Sequence, residues 1–114
     1  MNTLDKKPSI SDLVDEAVSK VCARHDCTPE EVLGPRRFER LNTARHMAYW
    51  ILRREPYCLG YETIGRAFNR QHGSIIHGCR KTNDRLEVSK EFRRLWPEFT
   101  ECRVQFRKEL AAWR

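Results

Sequence analysis

Tyr61-Glu62-Thr63-Ile64-Gly65-Arg66-Ala67-Phe68, a turn at Asn69-Arg70-Gln71, and then Gly73 through Leu86 decide how this chain reads. Ile64 and Phe68 stand one helical turn apart, and Ile75 or Ile76, Cys79 and Leu86 recur at helical spacing. The pattern is one short helix from about Leu59 to Phe68, a tight turn, and a longer helix: a helix-turn-helix. Gly65 lies inside the first helix at a cost of about 1 kcal/mol, which marks a close helix–helix approach.

The flanking segments are helical too. Ser9 or Ser11 offers an N-cap for Leu13, Val14, Ala17, Val18, Val21 and Cys22, a helix expected to end near His25-Asp26. Thr28-Pro29-Glu30-Glu31 is a capping box with Pro at the first helical position, and the helix it opens stops at Gly34-Pro35, with Gly34 expected as a left-handed cap. From Arg36 or Arg37 to about Glu55, a stripe of Phe38, Leu41, Ala44, Ala48, Ile51 and Leu52 predicts the longest helix, closed by Pro56. Val88-Ser89 reads as a break. Phe92, Trp96, Phe99, Phe106, Leu110 and Trp113 follow, divided by Pro97 into a short turn and a helix over 97–113. No segment alternates with period two, so the fold class is all-α, a bundle of about five to six helices. The expected organisation is a loose arm over 1–10, one domain over 11–87, and a helical extension over 88–114. Phe92, Trp96 and Phe99 either cap the core or, with Phe106, Leu110 and Trp113, form a homodimer or partner surface across 92–113.

Charge narrows the function. The chain has 114 residues, 39% hydrophobic and 33% charged, with a net charge of +6. Between Arg36 and Lys81 ten bases face three acids, and nine of the ten are arginine, whose planar fork suits phosphates and guanine edges. Segregated in this way, the charge points to a polyanion-binding face. No apolar run approaches a membrane span and no signal peptide opens the chain, so a cytoplasmic protein is expected. Five scattered cysteines do not form a secreted disulfide framework. Cys22, His25 and Cys27 lack the fourth ligand and paired spacing of a zinc site, and no metal is expected. His72 and His77 have no nucleophile placed beside them, no carboxylate pair suggests acid–base work, and no enzymatic role is expected. At the start of the second helix, Arg70, Gln71, His72 and Ser74 have the side chains that reach base edges. A helix N-terminus draws phosphate through its free N–H groups.

Ile64-Gly65-Arg66-Ala67-Phe68, followed by Arg70-Gln71-His72-Gly73-Ser74-Ile75-Ile76-His77-Gly78-Cys79-Arg80-Lys81, resembles the C-terminal DNA-binding domain of the bacterial replication initiator family DnaA. The upstream capping-box helix, Arg36-Arg37 and Thr43-Ala44-Arg45-His46-Met47-Ala48 fit in family order, over about Ser11 to Glu87. The resemblance implies a helix-turn-helix bundle of the Trp-repressor-like kind that binds double-stranded DNA. By position it implies Arg37 in the minor groove, and Gln71, His72, Gly73 and Ser74 on major-groove bases or the flanking phosphates. It implies Arg45, His46, Arg54, His77 and Lys81 along the sugar-phosphate backbone. His77 has a second reading as a satisfied structural histidine.

Departures from the family pattern shift the expected target. Gln71 stands where the family has Asp; Asp accepts from cytosine, whereas Gln bonds bidentately to adenine. Gly73 replaces a Ser or Thr, and the turn is one residue shorter, with Asn69 in place of a Gly pair. No Gly-x-x-x-x-Gly-Lys-[Ser/Thr] loop occurs, so no nucleotide cofactor is expected, and the chain reads as a freestanding, nucleoid-associated DNA binder of bacterial or phage origin. It would act as a transcriptional regulator or as a modulator at initiator-like sites. The alternative is a protein–protein interaction module that retains the fold.

Overall fold

Ser9 opens the first helix, its hydroxyl accepting from the Asp12 N–H while the Asp12 carboxylate accepts from the Ser9 N–H. The computed structural model describes residues 9–54 and 57–102, with side chains up to residue 99. Among them run α1 (Ile10–His25), α2 (Pro29–Leu33), α3 (Glu39–Arg53), α4 (Tyr61–Phe68), α5 (His72–Val88), α6 (Lys90–Leu95) and a 3₁₀ helix (Pro97–Cys102). No strand occurs among the described residues, and the all-α bundle holds. α1 begins at Ile10, inside the stretch expected to be a loose arm; residues 1–8 of that arm, Pro56, and Phe106, Leu110 and Trp113 lie outside the described residues.

The core is built around α3, which packs against α1, α2, α4 and α5. Val14, Ala17, Val18 and Val21 bury one face of α1 against it. The sequence stripe on α3 proves too narrow at one end and misplaced at the other. Met47, Tyr49 and Trp50 are buried along with Leu41, Ala44, Ala48, Ile51 and Leu52, so the helix is covered over most of its circumference. Phe38, by contrast, is 55% exposed: the helix starts at Glu39, leaving Phe38 as an extended N-cap with no side-chain cap bond. An N-cap without Ser, Thr, Asp or Asn forgoes about 1 kcal/mol.

Three glycines are required by close approach. A Cβ on Gly65 would stand 2.5 Å from the Arg70 carbonyl oxygen, and the Gly65 carbonyl accepts the Arg70 N–H at 2.8 Å. The close approach read from the sequence is therefore to the turn's backbone. Asn69 takes the left-handed conformation (φ 54°, ψ 49°) that lets the shortened turn reverse. On α5, a Cβ at Gly78 would lie 2.8 Å from both His46 Cδ2 and Tyr49 Cδ2, so Gly78 is where α5 crosses α3. Gly34 departs from expectation: its backbone is extended (φ −84°, ψ −178°), and what excludes a side chain is the Glu30 carbonyl oxygen 2.8 Å from a Cβ there.

Ser89 ends α5 and caps α6, and Phe92 and Trp96 enter the core of this same chain. The Trp96 indole N–H donates to His25 Nε2 (2.9 Å), Arg24 lies 4.0 Å over the Trp96 ring, and Phe99 meets Trp50 edge-on at 5.0 Å. Trp96 thus takes up His25, one of the three residues weighed for a metal.

Arg45 ties α2 to α3. It is 3% exposed, and its guanidinium donates to the carbonyls of Val32 (2.7 Å), Glu31 (2.7 Å), Gly34 (2.7 Å) and Arg36, and to Asn42 Oδ1 (3.2 Å). The last carbonyls of a helix have no partner within it, and here one side chain satisfies those of Glu31 and Val32 in α2 together with two in the loop that follows. Arg45, expected along a sugar-phosphate backbone, spends its donors inside the protein. Arg45→Ala strands several buried carbonyls and should lower the urea-denaturation stability by about 2–4 kcal/mol. Arg45→Lys should recover little of it, because a compact ammonium lacks the planar fork that reaches them all.

Candidate nucleic-acid interface

The first turn of α5, the α2–α3 loop and one face of α3 enclose an open cleft of about 680 Å³. Its walls are Arg37, Asn42, Arg45, His46, Tyr49, Arg70, Gln71, Gly73, Ser74 and His77. Eight of these were singled out in the sequence, so residues up to 40 positions apart in the chain converge on one surface. Asn42 and Tyr49 were not; with His46 they follow helical steps of four and three, and that spacing was the available signal. His72 opens α5 and is exposed, and Lys81 is exposed one turn beyond His77, so both extend the surface outside the cleft. Arg54 does not line it. It caps the far end of α3, where its guanidinium lies 4.8 Å over the Trp50 ring and 5.9 Å from that of Phe99.

Two arginines hold the α2–α3 loop from opposite sides. The Gly34 carbonyl accepts from Arg45 and also from Arg70 Nη2 at 3.2 Å, while Arg70 Nη1 reaches the Phe68 carbonyl at 3.2 Å. The helix-turn-helix turn and the loop carrying Arg36 and Arg37 are thereby fastened to one another. Burial, followed by the Arg70 charge, lowers the Arg45 pKa from its ordinary value.

The N-terminus of α5 is left open for an anion. Gln71 is the N-cap but makes no side-chain cap bond, and no acid occupies the first turn. The positive end of the helix dipole is therefore uncompensated where Gln71, Gly73 and Ser74 line the cleft. A Cβ on Gly73 would meet nothing within 4 Å, and no glycine has a positive φ, so neither space nor backbone geometry requires glycine there.

At the cleft floor, His46 Nδ1 lies 3.2 Å from Arg85 Nη1. Arginine only donates, so Nδ1 accepts and the neutral ring carries its proton on Nε2. The His77 ring stands edge-on to that of His46, centroids 6.0 Å apart. Burial, then the charges of Arg85, His77, Lys81 and Arg45, push the His46 pKa down to about 4. His46 is thus a neutral hydrogen-bonding group at neutral pH, not a cation for phosphate.

Residues 14–82 match the family described as Bacterial dnaA protein helix-turn-helix. The chain belongs to that family. It is also similar to the chromosomal replication initiator protein DnaA of Oleidesulfovibrio alaskensis, with 31% identity over 86 residues. That stretch is 75% of this chain and 18% of the relative, so the chain spans less than a fifth of the protein it matches. The matched region of this DnaA-family chain holds every wall of the cleft. Among the described residues no helix is long and apolar enough to cross a membrane.

The half-buried His46 imidazole makes stability depend on pH. In the unfolded chain His46 takes up a proton near the ordinary histidine value of 6.5, and in the folded one only near pH 4. Between those values the unfolded state binds more protons, so the contribution is intact above pH 6.5 and is lost as the pH falls toward 4. Moving from pH 7.5 to 5 should cost on the order of 1–2 kcal/mol after allowance for partial solvent screening. His46→Gln should flatten that dependence in urea titrations at the two pH values.

Proposed function

We propose that this chain binds double-stranded DNA selectively, with α5 in the major groove and Arg37 reaching the adjacent minor groove. The observation that carries the reading is the convergence of Arg37, Arg70, Gln71, Ser74 and His77 on one cleft at the uncapped N-terminus of α5, within a chain of the DnaA helix-turn-helix family. Phosphate contacts set affinity and register, and base-edge contacts from Gln71, His72 and Ser74 set sequence. Gln71 favours adenine where an aspartate would favour cytosine, so the preferred site differs at that base pair from one read by the usual family residue. The role is that of a transcriptional regulator or a modulator at initiator-like sites, in the cytoplasm on the nucleoid. It requires neither a nucleotide nor catalysis. A homodimer through residues 92–113 would set two half-sites about one helical turn apart.

Fluorescence anisotropy against an initiator-box duplex, a scrambled duplex and fragmented genomic DNA, at two salt concentrations, tests this. The expected result is salt-dependent binding that selects the box or a recoverable genomic sequence. Weak binding, equal on every duplex and gone at moderate salt, would overturn it in favour of a protein partner. Arg37→Ala and His72→Ala should each weaken the selected duplex by about 5- to 100-fold, and Lys81→Ala should weaken all duplexes alike and reduce the salt slope by about one.

A further inference from the structure

Phe38 is a large hydrophobic residue left at the surface. Its ring is 55% exposed, and it stands at the α3 N-cap, where Ser, Thr, Asp or Asn would supply a hydrogen bond that phenylalanine cannot. The backbone beneath it is nevertheless fixed. The Phe38 carbonyl accepts the N–H groups of Leu41 and Asn42, both at 3.0 Å, and the Gly34 and Arg36 carbonyls just before it are held by Arg45. An exposed aromatic ring is thus displayed from a rigid loop.

Phe38 adjoins the cleft: it is next in sequence to the cleft-lining Arg37 and stands four residues before Asn42, another of its walls. Its flanking bases, Arg36 and Arg37, are both exposed. An apolar ring beside exposed guanidinium groups fits a groove with anionic rims and apolar walls. The deoxyribose-lined minor groove is such a surface, and apolar wedges beside arginine are a recurring means of gripping it.

We propose that Phe38 is a minor-groove contact, its ring packed against the sugar walls and base edges next to the site of Arg37. This rests on the DNA-binding reading above and adds an uncharged, shape-reading element to it. A ring of this kind contributes without releasing counterions, so its removal lowers affinity and leaves the salt dependence alone.

The test uses the full chain and the duplex it binds most tightly, compared by anisotropy at two salt concentrations. Phe38→Ala should bind about tenfold more weakly at both, with the salt slope and the melting temperature of the free protein unchanged, while Phe38→Leu keeps most of the affinity. Replacing adenines in turn by 2,6-diaminopurine adds an amino group in the minor groove only; at one or two steps it should weaken the wild type and leave Phe38→Ala indifferent. Affinity of Phe38→Ala within twofold of the wild type would overturn the proposal, as would a fall in melting temperature that accompanies the loss. If the wild type itself binds no duplex, the DNA-binding reading fails first, and that result is separable from the other two.

Discussion

A buried guanidinium facing the end of a five-residue helix is the constraint on which the rest depends. A helix as short as α2 has no stability of its own, and its last carbonyls would face the interior without donors. Arg45 supplies the donors, and the planar fork reaches several oxygens at once in a way no other side chain can. The charge is not neutralised by an acid: burial and the nearby Arg70 charge lower its pKa, peptide dipoles solvate it, and its removal leaves those polar groups stranded. Arg70 adds a second hold on the Gly34 carbonyl from the helix-turn-helix turn. Loop, α3 and recognition turn become one rigid frame.

That frame explains how the cleft acquires its character. Its floor is close-packed, with Gly78 admitting α5 against His46 and Tyr49, and with Tyr49 edge-on to Phe68 at 4.9 Å. Its rim is polar and flexible in chemistry: exposed Ser74 and His77 on α5, Gln71 at its N-cap, and Arg37 on the facing loop. The division suits a surface that must hold a recognition helix rigid while presenting side chains to a partner. At the opposite end, Trp96 on His25 and Phe99 on Trp50 close the core with the chain's own aromatic residues.

Much of this was legible in the sequence because it is local. The N-cap at the start of α1, the Thr28 capping box, the turn at Asn69, the break at Ser89 and the all-helical pattern are each set by residues within a few positions of one another. The cleft was largely legible too, through the family motif around Arg70-Gln71-His72-Gly73-Ser74. What was not legible depended on partners distant in the chain. Arg45 and Arg54 look like their exposed neighbours until α2 supplies carbonyls to the one and Trp50 and Phe99 supply rings to the other. Phe38 fits the period of the α3 stripe, yet the helix begins one residue after it, and periodicity does not say which turn is the first. Gly34 signalled a special backbone position correctly, but steric exclusion by Glu30, not a left-handed turn, is what selects it.

One property of the Arg45 grip has a bearing on how such a domain changes over time. Within the segment it holds, every acceptor is a main-chain oxygen, at positions 31, 32, 34 and 36. Peptide carbonyls are the same whatever side chain they carry. The loop can therefore exchange Arg36, Arg37 or Phe38 for other residues without loosening its attachment, provided Gly34 stays small. The side chains displayed at this edge can change while the scaffold stays put, and a designer could vary those three positions as a library on a single unchanged frame.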